Sequence, residues 1–102
     1  MKFGLSVNTI DRINSVFKKY PEIEQVIIYG SRAKGNYREG SDIDITLKGE
    51  NLNDRILSKV KSEIDDLNTP YLFDISAFNL LVSSGLIQHI ERVGQILYTQ
   101  NK

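Results

Sequence analysis

Asp42-Ile43-Asp44-Ile45 sets two carboxylates two residues apart in an alternating polar and apolar run that continues through Thr46 and Leu47. On a strand, residues so spaced point to one face, ~6.6 Å apart along the chain. The two acids then stand side by side while Ile43 and Ile45 face the core. Like charges fixed on one surface repel, and a divalent cation relieves the repulsion. Hard oxygen ligands with open positions suit Mg²⁺, which takes one or two carboxylates and completes its shell with substrate phosphates and water. The spacing alone says little, because a chain with 13 acidic residues is expected to hold roughly one or two acid-x-acid triplets by chance. Glu22/Glu24 and Glu63/Asp65 are two more, and they read as solvated positions at a helix–strand junction and in an amphipathic helix.

What singles out Asp42 and Asp44 is their neighbourhood. Gly30-Ser31 falls where an apolar run ends and a helical turn begins. Glycine lets the backbone come close to a phosphate, and a serine hydroxyl with free N–H groups can donate to its oxygens. Arg32, Lys34 and Arg38 follow and supply cations for a polyphosphate. Further on, Leu72-Phe73-Asp74-Ile75-Ser76 alternates, so that Asp74 and Ser76 share a face opposite Phe73 and Ile75. If that strand lies beside the first acidic one, Asp74 joins the same metal cluster; otherwise it is an edge-strand acid in water.

The elements that must position these residues follow from periodicity and breakers. Ile10, Ile13, Phe17 and Tyr20 predict a helix over 9–20, capped at Thr9 and stopped by Pro21. Gln25-Val26-Ile27-Ile28-Tyr29 predicts a buried strand ending at Gly30. Residues 31–34 form a turn of helix, 35–40 a loop and 42–47 the acidic strand. Leu52, Ile56, Val60 and Ile64 mark a second long helix with Asn51 or Asn53 as cap, ended by Pro70. A third strand spans 71–77. Leu86, Ile90 and Val93 mark a last helix capped near Ser83 or Ser84, and 95–98 form a short fourth strand. Too few residues separate Gly30 from Asp42 for a parallel crossover, so the first two strands run antiparallel, whereas a helix between the second and third permits a parallel pair. The expected fold class is α/β (α+β): a small mixed sheet flanked by helices, one domain over 1–102.

Lys plus Arg and Asp plus Glu number 13 each. A zero net charge argues against a grip on extended nucleic acid, which favours a basic excess. There is no cysteine, hence no thiolate chemistry. No apolar run approaches the ~18 residues of a membrane span, and the N-terminal residues lack a secretion signal, so the expected compartment is the cytoplasm. His89 reads as a helix histidine with no second histidine beside it, Tyr37 as an ordinary loop tyrosine, and Asp65-Asp66 as an unexplained pair at a helix end.

Tyr29-Gly30-Ser31-Arg32-Ala33-Lys34-Gly35, followed by Gly40-Ser41-Asp42-Ile43-Asp44-Ile45, resembles the signature of the DNA polymerase beta-like nucleotidyltransferase superfamily. The likeness is to its minimal members, the MNT proteins related to kanamycin nucleotidyltransferase. It is carried most specifically by residues 29–47, and with Asp74 and Ile90-Glu91-Arg92-Val93-Gly94 it extends over nearly the whole chain. The resemblance implies the polymerase beta-like fold and a triphosphate held by Gly30 and Ser31, with Arg32 and Ser41 counted among the nucleotide-binding residues. It implies two Mg²⁺ on Asp42 and Asp44, with Asp74 completing the site next to the attacking hydroxyl, as base or as ligand. It further implies transfer of AMP from ATP. Larger nucleotidyltransferases add an acceptor-binding domain, for which this length leaves no room, so either the acceptor is small or a partner supplies the missing wall. Minimal members pair with helical HEPN-type proteins as toxin–antitoxin modules, so the expectation is an antitoxin that transfers AMP to a partner's hydroxyl, a tyrosine. The alternatives are an antitoxin acting by contact alone and a nucleotidyltransferase for small aminoglycoside-type molecules.

Overall fold

The computed structural model describes residues 2–100. Ser6 opens the first helix, α1 (Val7–Phe17), by accepting from Thr9 N–H. The cap expected at Thr9 is thus three residues earlier, and Tyr20 lies beyond the helix. β1 (Gln25–Tyr29) follows, then the one-turn helix α2 (Ser31–Lys34) and β2 (Ile43–Lys48). Asn53 caps α3 (Asp54–Asp65) by accepting from Ile56 N–H. β3 (Phe73–Ala77) starts two residues later than expected and runs into a 3₁₀ turn over Phe78–Leu80. Ser83 caps α4 (Ser84–Val93), and β4 (Gln95–Thr99) closes the described chain.

The four strands form one mixed sheet in the order β3-β2-β1-β4. β1 pairs antiparallel with β2 and β4, and β2 pairs parallel with β3. The β1/β2 and β2/β3 pairings agree with the connection lengths. Alternation sorts the side chains onto two faces. On one, Ile43, Ile45 and Leu47 are fully buried and pack with Val26 and Ile28 against Phe17 and Ile13 of α1 and Val60 and Ile64 of α3. Each such side chain contributes roughly 1.5–3 kcal/mol on burial, so this face holds the molecule together.

The opposite face is covered in part only. Ile27 and Tyr29 of β1 pack with Ile90 of α4, and Phe78, Leu81 and Leu86 lie around them. Gly94 lets the end of α4 descend onto β1, since a Cβ there would lie 2.4 Å from the Ile90 carbonyl oxygen and 2.5 Å from Ile27 Cγ2. The same face of β2 and β3 carries Asp44, Thr46, Asp74 and Ser76. Among the described residues, no helix is long and apolar enough to cross a membrane.

Candidate active site

β1 is apolar on both faces because helices lie on both, and it stops where the backbone turns over at Gly30, with φ +76°. L side chains rarely adopt that conformation. A second constraint also acts at this position. A Cβ on residue 30 would lie 2.5 Å from Asp44 Oδ2, so the glycine is what lets the acidic strand and the turn share one wall. Tyr29 and Asp44 are opposite one another in the β1/β2 ladder. Ser31, half-buried, opens α2 directly above, and the first N–H groups of a helix have no partner within it.

β2 begins at Ile43, whose N–H donates to the Leu72 carbonyl at 2.9 Å. Asp42 therefore stands one residue ahead of the strand and is exposed. Asp44 is half-buried, and its register neighbour across the parallel ladder is Asp74. Neighbouring strands lie ~4.8 Å apart, so these carboxylates project side by side from adjacent rows. Burial pushes the Asp44 carboxyl above its ordinary range, and the charges of Asp74 and then Asp42 add to the rise, with His89 acting the other way. One rung down, Ser76 Oγ donates to Thr46 Oγ1 at 2.9 Å and ties β2 to β3 below the acids. The Tyr29 hydroxyl is held above its ordinary pKa by burial and then by Asp74, with Ser76 opposing and Asp44 adding to the rise. At neutral pH it is a donor on the floor of an acidic face.

Several expectations need correction. Arg32 is 3% exposed and turned inward. Its Nε and Nη2 donate to the Ser41 carbonyl at 3.1 and 2.9 Å, and its Nη1 donates to the Phe3 carbonyl at 2.9 Å. The Tyr37 and Tyr71 rings flank the guanidinium at 5.1 and 4.9 Å. This arginine fastens the 35–41 loop rather than offering a free cation to a ligand. Ser41 is the other end of the same clasp: its carbonyl receives Arg32 and its hydroxyl accepts from Arg38 N–H at 2.9 Å. Lys34 and Arg38 are exposed, and no ion pair among the described residues engages them.

Nor is the expected three-carboxylate cluster assembled in advance. Among the described residues, no group of three or more His, Asp or Glu side chains is disposed to hold a metal ion unaided. Asp44 and Asp74 stand on adjacent strands, and Asp42 precedes the strand. The donor set nonetheless fits a divalent cation. The oxygens are hard, burial and the neighbouring acids hold the Asp44 carboxyl above its ordinary range in the absence of a cation, and the remaining coordination positions are those that substrate oxygens would fill. Two concavities, of ≈ 370 and ≈ 350 Å³, lie at the far end of β1 and β2 around Gln25 and Lys48. The acidic face itself lies open, with Asp42 and Asp74 exposed.

The sequence reading set His89 aside. In the fold its ring stands edge-on to Tyr29, 6.2 Å between centroids at 85°, near enough to Asp44 to influence its charge. No local pattern announces this, because it depends on where α4 comes down on β1.

Comparison with known proteins points one way. The family described as polymerase beta, nucleotidyltransferase matches residues 11–102. A chain from a crystal structure of a toxin–antitoxin with AMP-PNP superposes with a TM-score of 0.70 at 19% identity, covering 89% of this chain and 73% of the other. A chain from the tri-AMPylated Shewanella oneidensis HEPN toxin in complex with MNT antitoxin gives a TM-score of 0.65 at 17% identity, covering 91% and 71%. A chain from the toxin–antitoxin MntA-HepT gives 0.66 at 16% identity, covering 93% and 74%. At these identities the likeness is one of fold. No curated protein matches the chain.

Proposed function

The chain belongs to the polymerase beta nucleotidyltransferase family, and from that premise we propose that it transfers AMP from ATP to a hydroxyl on a helical HEPN-type partner, as the antitoxin of a toxin–antitoxin pair. Family membership brings nucleotide- and metal-dependent chemistry. The observation that carries the finer reading is the shared wall at Gly30 and Asp44, with Asp74 in register beside it. In this reading Gly30 and Ser31 hold the triphosphate, and Asp42 and Asp44 hold Mg²⁺, two ions in all, with Asp74 beside them. Residues 1–102 act as one catalytic domain.

When bound, the metal supplies positive charge that offsets the charge building up on the reacting phosphate oxygens. The protein supplies position. Ser31 and the N–H groups of the turn orient the phosphate chain over Asp44. Asp74, on the outer strand, faces the open side and takes the proton of the acceptor hydroxyl as its oxygen attacks. The Arg32 clasp holds the loop that ends at Asp42. An open acidic face, with Asp42 and Asp74 exposed, suits an acceptor delivered by a folded partner. Solved relatives of like fold come from toxin–antitoxin pairs, one bearing an AMPylated HEPN toxin, which supports a protein acceptor.

The decisive experiment incubates the protein with α-labelled ATP and Mg²⁺, with and without the helical protein encoded beside it. Label is expected on that partner. Asp44→Asn should abolish labelling while leaving the complex intact on gel filtration. A complex that forms and is never labelled by the wild type would refute the reading.

A further inference from the structure

The structure assigns His89 a place at the departing end of the transferred phosphate: we propose that its imidazole donates a hydrogen bond to the pyrophosphate as it leaves. This rests on the nucleotidyl-transfer reading above.

The argument starts from the order of the strands. Across the open face run Asp74 on β3, Asp44 on β2 and Tyr29 on β1, with Ser31 at the head of β1. In an in-line displacement the attacking and leaving oxygens lie on opposite sides of phosphorus. The acceptor oxygen forms its bond to the α-phosphorus from the Asp74 side, and its proton passes to that carboxylate. The bond from phosphorus to the bridging oxygen breaks, and its electron pair departs with pyrophosphate towards β1 and Ser31.

α4 is the helix packed against that side. Gly94 admits it onto β1, and Ile90 buries against Ile27 and Tyr29. The neighbouring His89 is brought against Tyr29, with 6.2 Å between ring centroids at 85°, and left half-exposed, where its charge opposes the rise at the Asp44 carboxyl. No hydrogen bond or ion pair among the described residues engages its side chain. Tyr29 packs on the ring at near right angles and an imidazole carries at least one N–H, so a donor stands near Asp44, a carboxylate that offers the phosphates no hydrogen bond. An acidic site that must release a multiply charged anion needs such a donor on the leaving side.

The test uses the full chain and two variants, His89→Ala and His89→Gln, the second keeping an N–H donor. Binding of inorganic pyrophosphate with Mg²⁺ is measured by calorimetry, independently of turnover. His89→Ala should weaken it about tenfold or more, as loss of a preorganised donor does, with His89→Gln between the two. In label transfer to the partner, kcat should fall with the acceptor's KM unchanged. The deficit of His89→Ala should be larger with β,γ-methylene ATP, whose leaving group is the stronger base, than with the β,γ-difluoromethylene analogue. Unchanged pyrophosphate affinity in His89→Ala, absence of pyrophosphate binding to the wild type, or a deficit that appears only in the acceptor's KM would each overturn the assignment. A wild type that binds pyrophosphate through His89 yet labels no partner would instead overturn the transfer reading and leave the contact standing.

Discussion

Gly30 and Asp44 share one small volume, and the site depends on neither side chain growing. Gly30→Ala forces on an alanine a positive-φ backbone (φ +76°, ψ −154°) that is nearly confined to glycine, at about 1–3 kcal/mol, and drives its Cβ towards Asp44 Oδ2. The expected result is a lower Tm and a transfer rate reduced about 100-fold, since small displacements of a positioned group cost that much; thermal unfolding and label transfer read the two. Asp44 carries the opposite tension. Burial, Asp74 and Asp42 hold its carboxyl above 3.8, so the metal-free folded state bears an ionisation cost. That cost is full above the raised pKa and fades as pH falls through it towards 3.8. Asp44→Asn should therefore raise the Tm of the metal-free protein at pH 7, with the gain shrinking as the pH is lowered towards 4, while activity is lost. A mutant less stable than wild type at pH 7 would contradict this balance. The acidic pair and the glycine-serine turn were legible as residue types, because strand alternation and turn chemistry are local. The closeness of Gly30 to Asp44 was not, since it depends on the β1/β2 register.

Among the elements, the loop between α2 and β2 is held by one side chain. Arg32 serves two backbone carbonyls with three nitrogens and lies between two aromatic rings. Lysine has neither the fork nor the plane to do this. Arg32→Lys should cost about 2 kcal/mol, the range for hydrogen bonds to a charged group, and should speed hydrogen exchange in 35–41 more than in β1. Unaltered exchange there would show that the loop is held by something else. In the sequence this arginine sits among Lys34 and Arg38 and reads as one more cation for phosphate. Only its burial separates it from them, and burial is set by nearby Tyr37 together with Tyr71 and Phe3, which are distant along the chain. Element boundaries show the same division. Asn53 and the 83–84 pair were identifiable as caps, whereas the start of α1 lies at Ser6, a stronger cap than Thr9, whose N–H it accepts.

For the whole molecule, charge is balanced in sum and uneven in place. Three carboxylates face the open side of the sheet, so a bare triphosphate meets repulsion there and a metal-bound one does not. Nucleotide alone should leave Tm unchanged, Mg²⁺ with a non-hydrolysable triphosphate should raise it, and excess EDTA should reverse the rise. A ligand at 100 times its Kd adds about 2.7 kcal/mol to stability. Equal stabilisation with and without the metal would remove the case for a cation in the site. The sequence by itself indicated the order of elements, the antiparallel β1/β2 pair, room for a parallel β2/β3 pair and the residue types of the acidic face, because periodicity, breakers and connection length are properties of short stretches. The tertiary structure alone decided that Asp74 stands in register with Asp44, that Arg32 turns inward and that His89 packs against Tyr29. Each of these is a distance between residues far apart in the chain, fixed by how strands register and helices dock, and no local pattern encodes such a distance.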